Sequence, residues 1–253
     1  MKAPWIVLSC LLALTPTTAA SAGAAKTTPW AVGERLKLGA SVGPLAGAAV
    51  LDIETLAPIS AEPVEMRLLA TVQPGELVSV FYPFFYRHLS TVAGADLLPR
   101  GGSRQIQEAG HHWFIAFTYR HADAVVDLAR GADSTPYAND AIAADTHDLL
   151  SALYHLRALH PAQKAEFTVY ENRRLYRISV APARMETVQV EAGTFPAWHR
   201  VLQVDPTGEQ LTEPTLHLWI SRDQRRLPLR LTASTLLGEL ELQLLEWSTP
   251  EGD

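Results

Sequence analysis

Nine histidines are the first residues that could do chemistry, and four of them fall between 111 and 147. The stretch GHHWF (110–114) puts His111 and His112 on opposite faces of a strand, so one metal ion cannot take both there. His147 and His155 are eight residues apart, which on a single helix separates them by about 12 Å along the axis. There is no His-Glu-x-x-His. These spacings predict ordinary surface or half-buried imidazoles and no metal site. Nucleophilic chemistry finds no better footing. Gly-x-Ser-x-Gly is missing, and Ser151 and His155 are helical neighbours four apart, not a triad. Glu239 and Glu241 in ELEL share one strand face and read as two solvated carboxylates, since an acid–base pair needs a cleft that raises one of them. Gly101-Gly102 lacks the strand–turn–helix setting of a phosphate loop. The expectation is no catalytic residue and no cofactor.

Two clusters could instead bind. HLWISRDQRRLPLRLTAS (217–234) holds Arg222, Arg225, Arg226 and Arg230. It reads either as an anion or lipid-headgroup site, or as a hairpin corner whose arginine stems lie over the sheet with their heads in water. The second reading is preferred. An anion site needs a second cluster converging on it, and Asp223 is a partner at hand. The aromatic residues Phe81, Tyr82, Phe84, Phe85 and Tyr86 precede Trp113, Phe114, Phe117 and Tyr119. Core packing is the default for such a set, and an apolar ligand groove open at one end is the alternative. In the groove reading Phe81, Phe84, Phe85 and Trp113 line the walls, and Tyr154 and Arg157, one helical turn apart, stand at the mouth. Arg157 in an otherwise apolar helix requires a partner, and a carboxylate from the sheet supplies the simplest one.

The elements that must position these residues are mostly strands. Alternation of period two runs through ERLKLGASV, EMRLLATVQ (65–73), WFIAFTYR (113–120), AEFTVYE (165–171), LYRISVAP (175–182), METVQVE, WHRVLQVD, LHLWIS, LPLRLTAS and ELELQLLEW. Turn signals such as EAGTFP, SRDQRR and LLGE separate them. Ten or more strands at this spacing predict a mainly β fold, a curved antiparallel sheet or an incompletely closed barrel. One segment departs: DTHDLLSALYHLRALHP (145–161) has apolar residues at 149, 150, 153, 156 and 159. It predicts an amphipathic helix over about 145–159, capped by Asp145 or Thr146 with Asp148 in the first turn, packed on a sheet face or plugging an open barrel. VFYPFFYRHL (80–89) reads as a strand or as a short helix entered through Pro83.

The chain has 253 residues, a formal charge of −6 and 47% hydrophobic residues, which is globular composition. An acidic balance argues against nucleic acid as a partner, because phosphate contacts need a basic face. The start, MKAPWIVLSCLLALTPTTAASAGAAK, has one basic residue, an apolar run of limited length and Ala-x-Ala options. It reads as a signal peptide over 1–24, too short in its apolar part to span a bilayer. Cleavage removes Cys10, the chain's one cysteine, so no disulfide is expected in the mature protein. No later stretch reads as a membrane span. One β-rich domain over 29–247 in the bacterial periplasm is the expectation.

PWAVGERLKLGASVGPLAGAAVLDI (29–53) resembles the opening of an exported family, domain of unknown function 3108. DLLSALYHLRAL (148–159) is similar to that family's mid-chain helix at Asp148, Ser151, Leu153, Tyr154 and Arg157. TFPAWHRVL (194–202) and LWISRDQRRLPLRL (218–231) resemble its closing strands, and the likeness covers most of 29–247. Leu38-Gly39 stands where many members carry an aromatic, and 54–64 is irregular. The resemblance implies a periplasmic β-rich protein and offers no catalytic residues. The hairpin 218–231 also looks like that of periplasmic lipoprotein carriers, whose half-barrels use an apolar concave face. Together these imply a non-enzymatic periplasmic protein that binds an apolar or lipid-like ligand in cell-envelope maintenance. The alternative is a structural module with a filled core that binds an envelope protein partner, and an enzyme acting on an envelope polymer ranks third.

Overall fold

The computed structural model describes residues 29–58, 65–93, 96–131, 135–206, 215–235 and 238–250; the expected signal peptide lies outside them. Sixteen strands are present among these residues. The first eight are β1 (Arg35–Val42), β2 (Leu45–Leu56), β3 (Glu65–Pro74), β4 (Phe84–Ala93), β5 (Pro99–Glu108), β6 (His111–Arg120), β7 (Val125–Arg130) and β8 (Pro136–Ala141). The rest are β9 (Thr146–His147), β10 (Ala165–Glu171), β11 (Arg174–Val180), β12 (Arg184–Val190), β13 (Gly193–Pro206), β14 (Thr215–Ser221), β15 (Pro228–Thr235) and β16 (Gly238–Ser248). A six-residue helix α1 (Glu76–Phe81) joins β3 to β4, and α2 (Leu149–Ala158) precedes β10. VFYPFFYRHL is therefore a strand from Phe84 onward, and no helix is entered through Pro83; the helix α1 ends before it, at Phe81.

All the strands form one sheet in the order β8-β7-β6-β5-β4-β3-β2-β1-β16-β15-β14-β13-β11-β10-β9, with β12 on the free half of β13. Pairing is antiparallel except between β9 and β10. The backbone ladder does not close. Side chains cross the gap instead: Asp140 on β8 accepts from the Tyr170 hydroxyl at 2.5 Å and from Arg173 Nη2 at 2.6 Å, and Arg104 on β5 donates to Glu171 at 2.5 Å. Phe117, Tyr119, Val126, Leu128, Ile142 and Tyr170 pack together across the same gap. The mainly β, incompletely closed architecture read from the alternation is the one observed.

The curled sheet makes a trough with two different ends. The β1–β2, β5–β6 and β7–β8 turns and α1 share one end, because alternate connections of an antiparallel meander return to the same side. The N-terminal segment around Trp30 and the β14–β15 turn lie at the other, and α2 fills that end. Leu150, Ser151, Ala152, Tyr154, Leu156 and Arg157 of α2 are all buried. Leu150 and Tyr154 join one core cluster with Leu36, Ile53, Leu68 and Leu244, while Ala152 and Leu156 join a second with Phe167, Ile178 and Leu218. The helix covers the predicted segment from Leu149 to Ala158 but starts four residues later than the pattern predicts, and sheet surrounds it on most sides, so its polar side chains are inside the protein.

Each of those polar groups is met internally. The cap is Asp148, not Asp145 or Thr146: its carboxylate accepts from Ser151 N–H at 2.8 Å, and Ser151 Oγ accepts from the Asp148 N–H at 2.9 Å. Thr146 cannot cap because it is committed to β9 beside Thr168. At the helix C-terminus Arg200 donates to the carbonyls of Leu159 at 3.2 Å and His160 at 2.8 Å, which are left without intrahelical donors. In mid-helix Arg157, with no exposed side-chain surface, forms a two-pronged pair with Glu34 at 2.7 and 2.9 Å. It also donates to the carbonyls of Arg226 at 2.9 Å and Arg225 at 3.0 Å. The carboxylate that Arg157 required is Glu34, 123 positions away, which lies just before β1 and not in the sheet.

That contact also settles the arginine-rich turn. Its backbone carbonyls hold Arg157, while its side chains settle on the turn and the neighbouring strands: Arg225 pairs with Asp223 and lies 4.2 Å over the Trp247 ring, and Arg222 reaches Met185 Sδ at 3.1 Å. The turn is a hairpin corner, as preferred from its sequence. Glu34→Leu should therefore cost about 3–5 kcal/mol in chemical denaturation, because it strands a buried guanidinium. Arg157→Met should cost a similar amount, and the double variant less than the two losses combined. Strict additivity would refute mutual neutralisation. Arg226→Ser, which leaves the turn carbonyls in place, should shift stability by no more than about 0.5 kcal/mol.

Candidate functional site

The strand registers place inward side chains in rows across β4, β5 and β6. Tyr86, Ile106 and Trp113 form the row near the open end; His88, Arg104 and Ile115 form the next; Ser90, Gly102 and Phe117 form the third. Exposure falls along this series. Trp113 is exposed and Tyr86 and Ile106 are half-buried, whereas His88, Arg104, Ser90 and Phe117 are buried. Gly102 sits where β4 presses closest, since a Cβ there would overlap the Leu89 carbonyl oxygen. That is the use of the Gly101-Gly102 pair: close strand packing inside β5.

Across the trough the inward rows are aliphatic. Val42, Leu240, Ala233 and Leu216 lie in one row, and Ala40, Leu242, Leu231 and Leu218 in the next. Val42, Leu216, Leu231, Leu240 and Leu242 are half-buried although they face inward. The trough is thus packed by α2 at one end and presents an apolar, partly uncovered inner wall at the other.

Below that wall lies a polar floor. Arg104, buried, donates to Glu171 at 2.5 Å and to Asn172 Oδ1 at 3.1 Å, with its guanidinium 5.5 Å from the Tyr86 ring centre and 5.3 Å from that of Phe117. Burial pushes the Tyr86 phenol up, with Arg104 opposing the shift. Ser90 Oγ donates to Asp148 at 2.5 Å, and His88 Nε2 stands 3.6 Å from the same carboxylate. Burial acts to raise Asp148, but the nearby His88 ring and hydrogen bonds from Ser151 and Ser90 hold it at about 2. Asp148 is therefore a fixed anion that caps α2 and anchors β4.

His147 and His155 are not the distant pair expected from a shared helix. Their ring centres are 4.8 Å apart. His147 belongs to β9, before the cap, so the chain turns at Asp148 and lays the ring back over the first turns of α2. Burial pushes His147 down to about 4, and the neighbouring His155 adds to the effect.

The residues expected to line a groove are divided. Phe84 and Trp113 face the open end of the trough; Phe85 points to the outer face of β4 by strand alternation; Phe81 ends α1 and is exposed. Tyr154 and Arg157 are at the filled end. Tyr154 donates or accepts a 2.8 Å bond with Thr55, its phenol pushed up to about 12 by burial, and packs edge-on to Trp30 at 4.8 Å. Ile106 and the aliphatic rows of β14–β16 were not singled out in the sequence; period two marked their strands but not which half of each would stay uncovered.

A model of a family of proteins of unknown function, DUF3108, matches residues 35–244. No curated protein matches the chain. Among solved structures, a β-barrel-like protein of domain of unknown function DUF1849 from Brucella abortus aligns with a TM-score of 0.55 at 9% identity, covering 88% of this chain and 99% of that one. This likeness concerns the fold alone. A hypothetical protein from Chlamydia trachomatis aligns over 88% of this chain and 90% of its own at 12% identity, with a TM-score of 0.40 too low to carry an argument.

The two buried groups set the acid response. A histidine whose folded pKa is depressed to about 4 leaves stability intact above the unfolded value of about 6.5 and loses it as pH falls between the two, because the unfolded chain takes the proton first. Asp148, depressed to about 2, contributes stability that is lost from about pH 4 downward. His147→Phe should flatten the dependence of the denaturation midpoint between pH 6.5 and 4 and leave the lower limb unchanged. An unaltered upper limb would refute the assignment.

Proposed function

The chain belongs to the DUF3108 family, and from that premise we propose that it is an exported, non-enzymatic envelope protein that holds an apolar or lipid-like molecule against the open half of its trough. One observation carries the reading: inward-facing Tyr86, Ile106, Trp113, Leu216, Leu240 and Leu242 are left partly uncovered in a sheet whose other half is fully packed. Apolar walls with few polar anchors are the usual lining of sites for apolar ligands. Phe84 extends the wall toward the opening, Phe81 and Phe85 flank it, and Tyr154 and Arg157 belong to the plug that ends it. The leader-like start of the chain supports export to the periplasm.

The buried titratable groups near the wall support a binding role over a catalytic one. Arg104 is engaged by Glu171, Asp148 by Ser90, Ser151 and His88, and Arg157 by Glu34. The plug itself favours a second reading, a partner-binding module in which the sheet interior serves only as core.

Purification of the exported chain without detergent, followed by native mass spectrometry and solvent extraction, separates the two. The expected result is a co-purifying apolar molecule, and quenching or a blue shift of tryptophan emission when a long-chain fatty acid is titrated into delipidated protein. Ile106→Asp should weaken that binding at least about tenfold, since it sets a carboxylate in the apolar wall. A bare protein mass with no fluorescence response would sink the ligand reading and leave the module.

A further inference from the structure

Eleven large apolar side chains are exposed among the described residues, and eight of them lie at the open end of the trough. Helix α1 is the densest part: Leu77 is 72% exposed, Val80 73% and Phe81 86%, and none of its residues is buried. Tyr82 follows directly, and Trp113 and Phe114 stand just beyond the β5–β6 turn, both more than two-fifths exposed. The chain holds α1 in this position. Gly75 passes against the Gly47 carbonyl, where a Cβ would overlap it, and donates to the Ala48 carbonyl at 3.0 Å, so the helix is seated beside the β1–β2 turn.

Folding does not account for these residues, since removing them from the surface would uncover no core. They come from separate connections arranged along an edge, not from one flat face. Tyr82 and Trp113 are of the amphipathic aromatic kind that settles at a bilayer interface. The charged residues of α1 and the β5–β6 turn are acidic, Glu76 beginning α1 and Glu108 ending β5, and all four lysines of the chain lie elsewhere, at 2, 26, 37 and 164; Arg130 at the end of β7 lies over the Tyr137 ring, so the rim carries no net positive charge. Such a rim has no electrostatic attraction to an anionic surface and suits a zwitterionic one. It is also continuous with the inner wall, because Phe84, Tyr86 and Trp113 lead from it into the trough.

We propose that this rim, α1 together with the β5–β6 turn, docks the protein on a zwitterionic phospholipid surface, with the mouth of the trough facing the lipid. The proposal rests on the reading of the trough as a site for an apolar molecule and supplies the surface with which that molecule is exchanged.

The test uses the exported chain with large unilamellar phosphatidylcholine vesicles, read by co-sedimentation and by tryptophan emission. Wild type should partition onto the vesicles. Leu77→Ser/Val80→Ser should partition at least about tenfold less, while its thermal melt and its affinity for monomeric fatty acid in solution stay as in wild type. That last control separates the two proposals: loss of vesicle binding with fatty-acid binding intact isolates the rim, and failure of fatty-acid binding alone strikes the trough. No wild-type partitioning, equal partitioning by the variant, or binding confined to anionic vesicles would overturn docking. A wild-type dimer dissolved by the same two substitutions would overturn it as well, by making a second copy the rim's occupant.

Discussion

Arg157 is a guanidinium with no route to water. An unpaired charge in that position would cost several kcal/mol, more than a third of the stability of an ordinary domain. The arrangement around it is therefore a condition of the fold. Glu34, just before β1, neutralises it with two parallel bonds, and the carbonyls of Arg225 and Arg226 in the β14–β15 turn take donors that Glu34 does not. Trp30 and Tyr154 cover the guanidinium from 5.2 and 4.7 Å. Three stretches of chain, near 30, 157 and 225, are thereby held at one point, which can be satisfied only if the sheet between them curls into a trough.

The same requirement recurs at both ends of α2. The helix presents free N–H groups at one end and free carbonyls at the other, and both ends are inside protein. Asp148 meets the first and Arg200 the second, an anion on the positive end and a cation on the negative end. Arg200 has no carboxylate partner among its described bonds; its donors go to carbonyls of Leu159, His160, Gln163 and Ala181. Reversing the helix in the trough would bring like charge to like partial charge at each end. Polar contacts thus fix its direction and its rotation, while the aliphatic clusters supply the bulk of the burial.

How far the sequence discloses this depends on the kind of residue. Strands with bulky alternating side chains, such as β6, β10 and β14, were legible because each inward position is marked by size. β2 has Leu-Ala-Gly-Ala-Ala in its first half, and β5 opens with Pro-Arg-Gly-Gly. Neither shows the period, because small residues serve close strand approach in β5 and the uncovered half in β2. The helix was legible from its apolar spacing, but its start was not, since Thr146 and His147 have the composition of a cap and first turn and are claimed by β10 through a parallel bridge. The need for a partner at Arg157 was legible; the partner's identity was not, because a contact across 123 residues leaves no local mark. The aromatic cluster at 81–86 was visible as a cluster, yet Phe81, Phe84 and Phe85 go to three different environments, which only the turn at Pro83 and the register of β4 decide.

The two ends of the trough answer to different demands. At the plugged end the buried charges are matched and most large side chains are buried, so residue identity there follows from stability. At the open end the wall residues are half-covered, and the rim residues are hardly covered at all. Replacing Phe81 or Leu77 by a polar residue removes almost no buried surface, so their apolar character gains nothing for the fold and works against solubility. A physical cause for it must lie in something the folded protein meets. The gradient from exposed Trp113, through half-buried Ile106, to buried Phe117 runs from that rim into the interior without a charged side chain between the first two rows of β5 and β6 until Arg104 is reached. An apolar group entering from the rim would meet no unpaired polar atom of those strands before the floor, where Glu171 already holds the guanidinium. The trough is thereby closed off in depth by the ion pair at Arg104 and by the plug behind it, and these two features, not an enclosing cavity, would limit the size of a bound molecule.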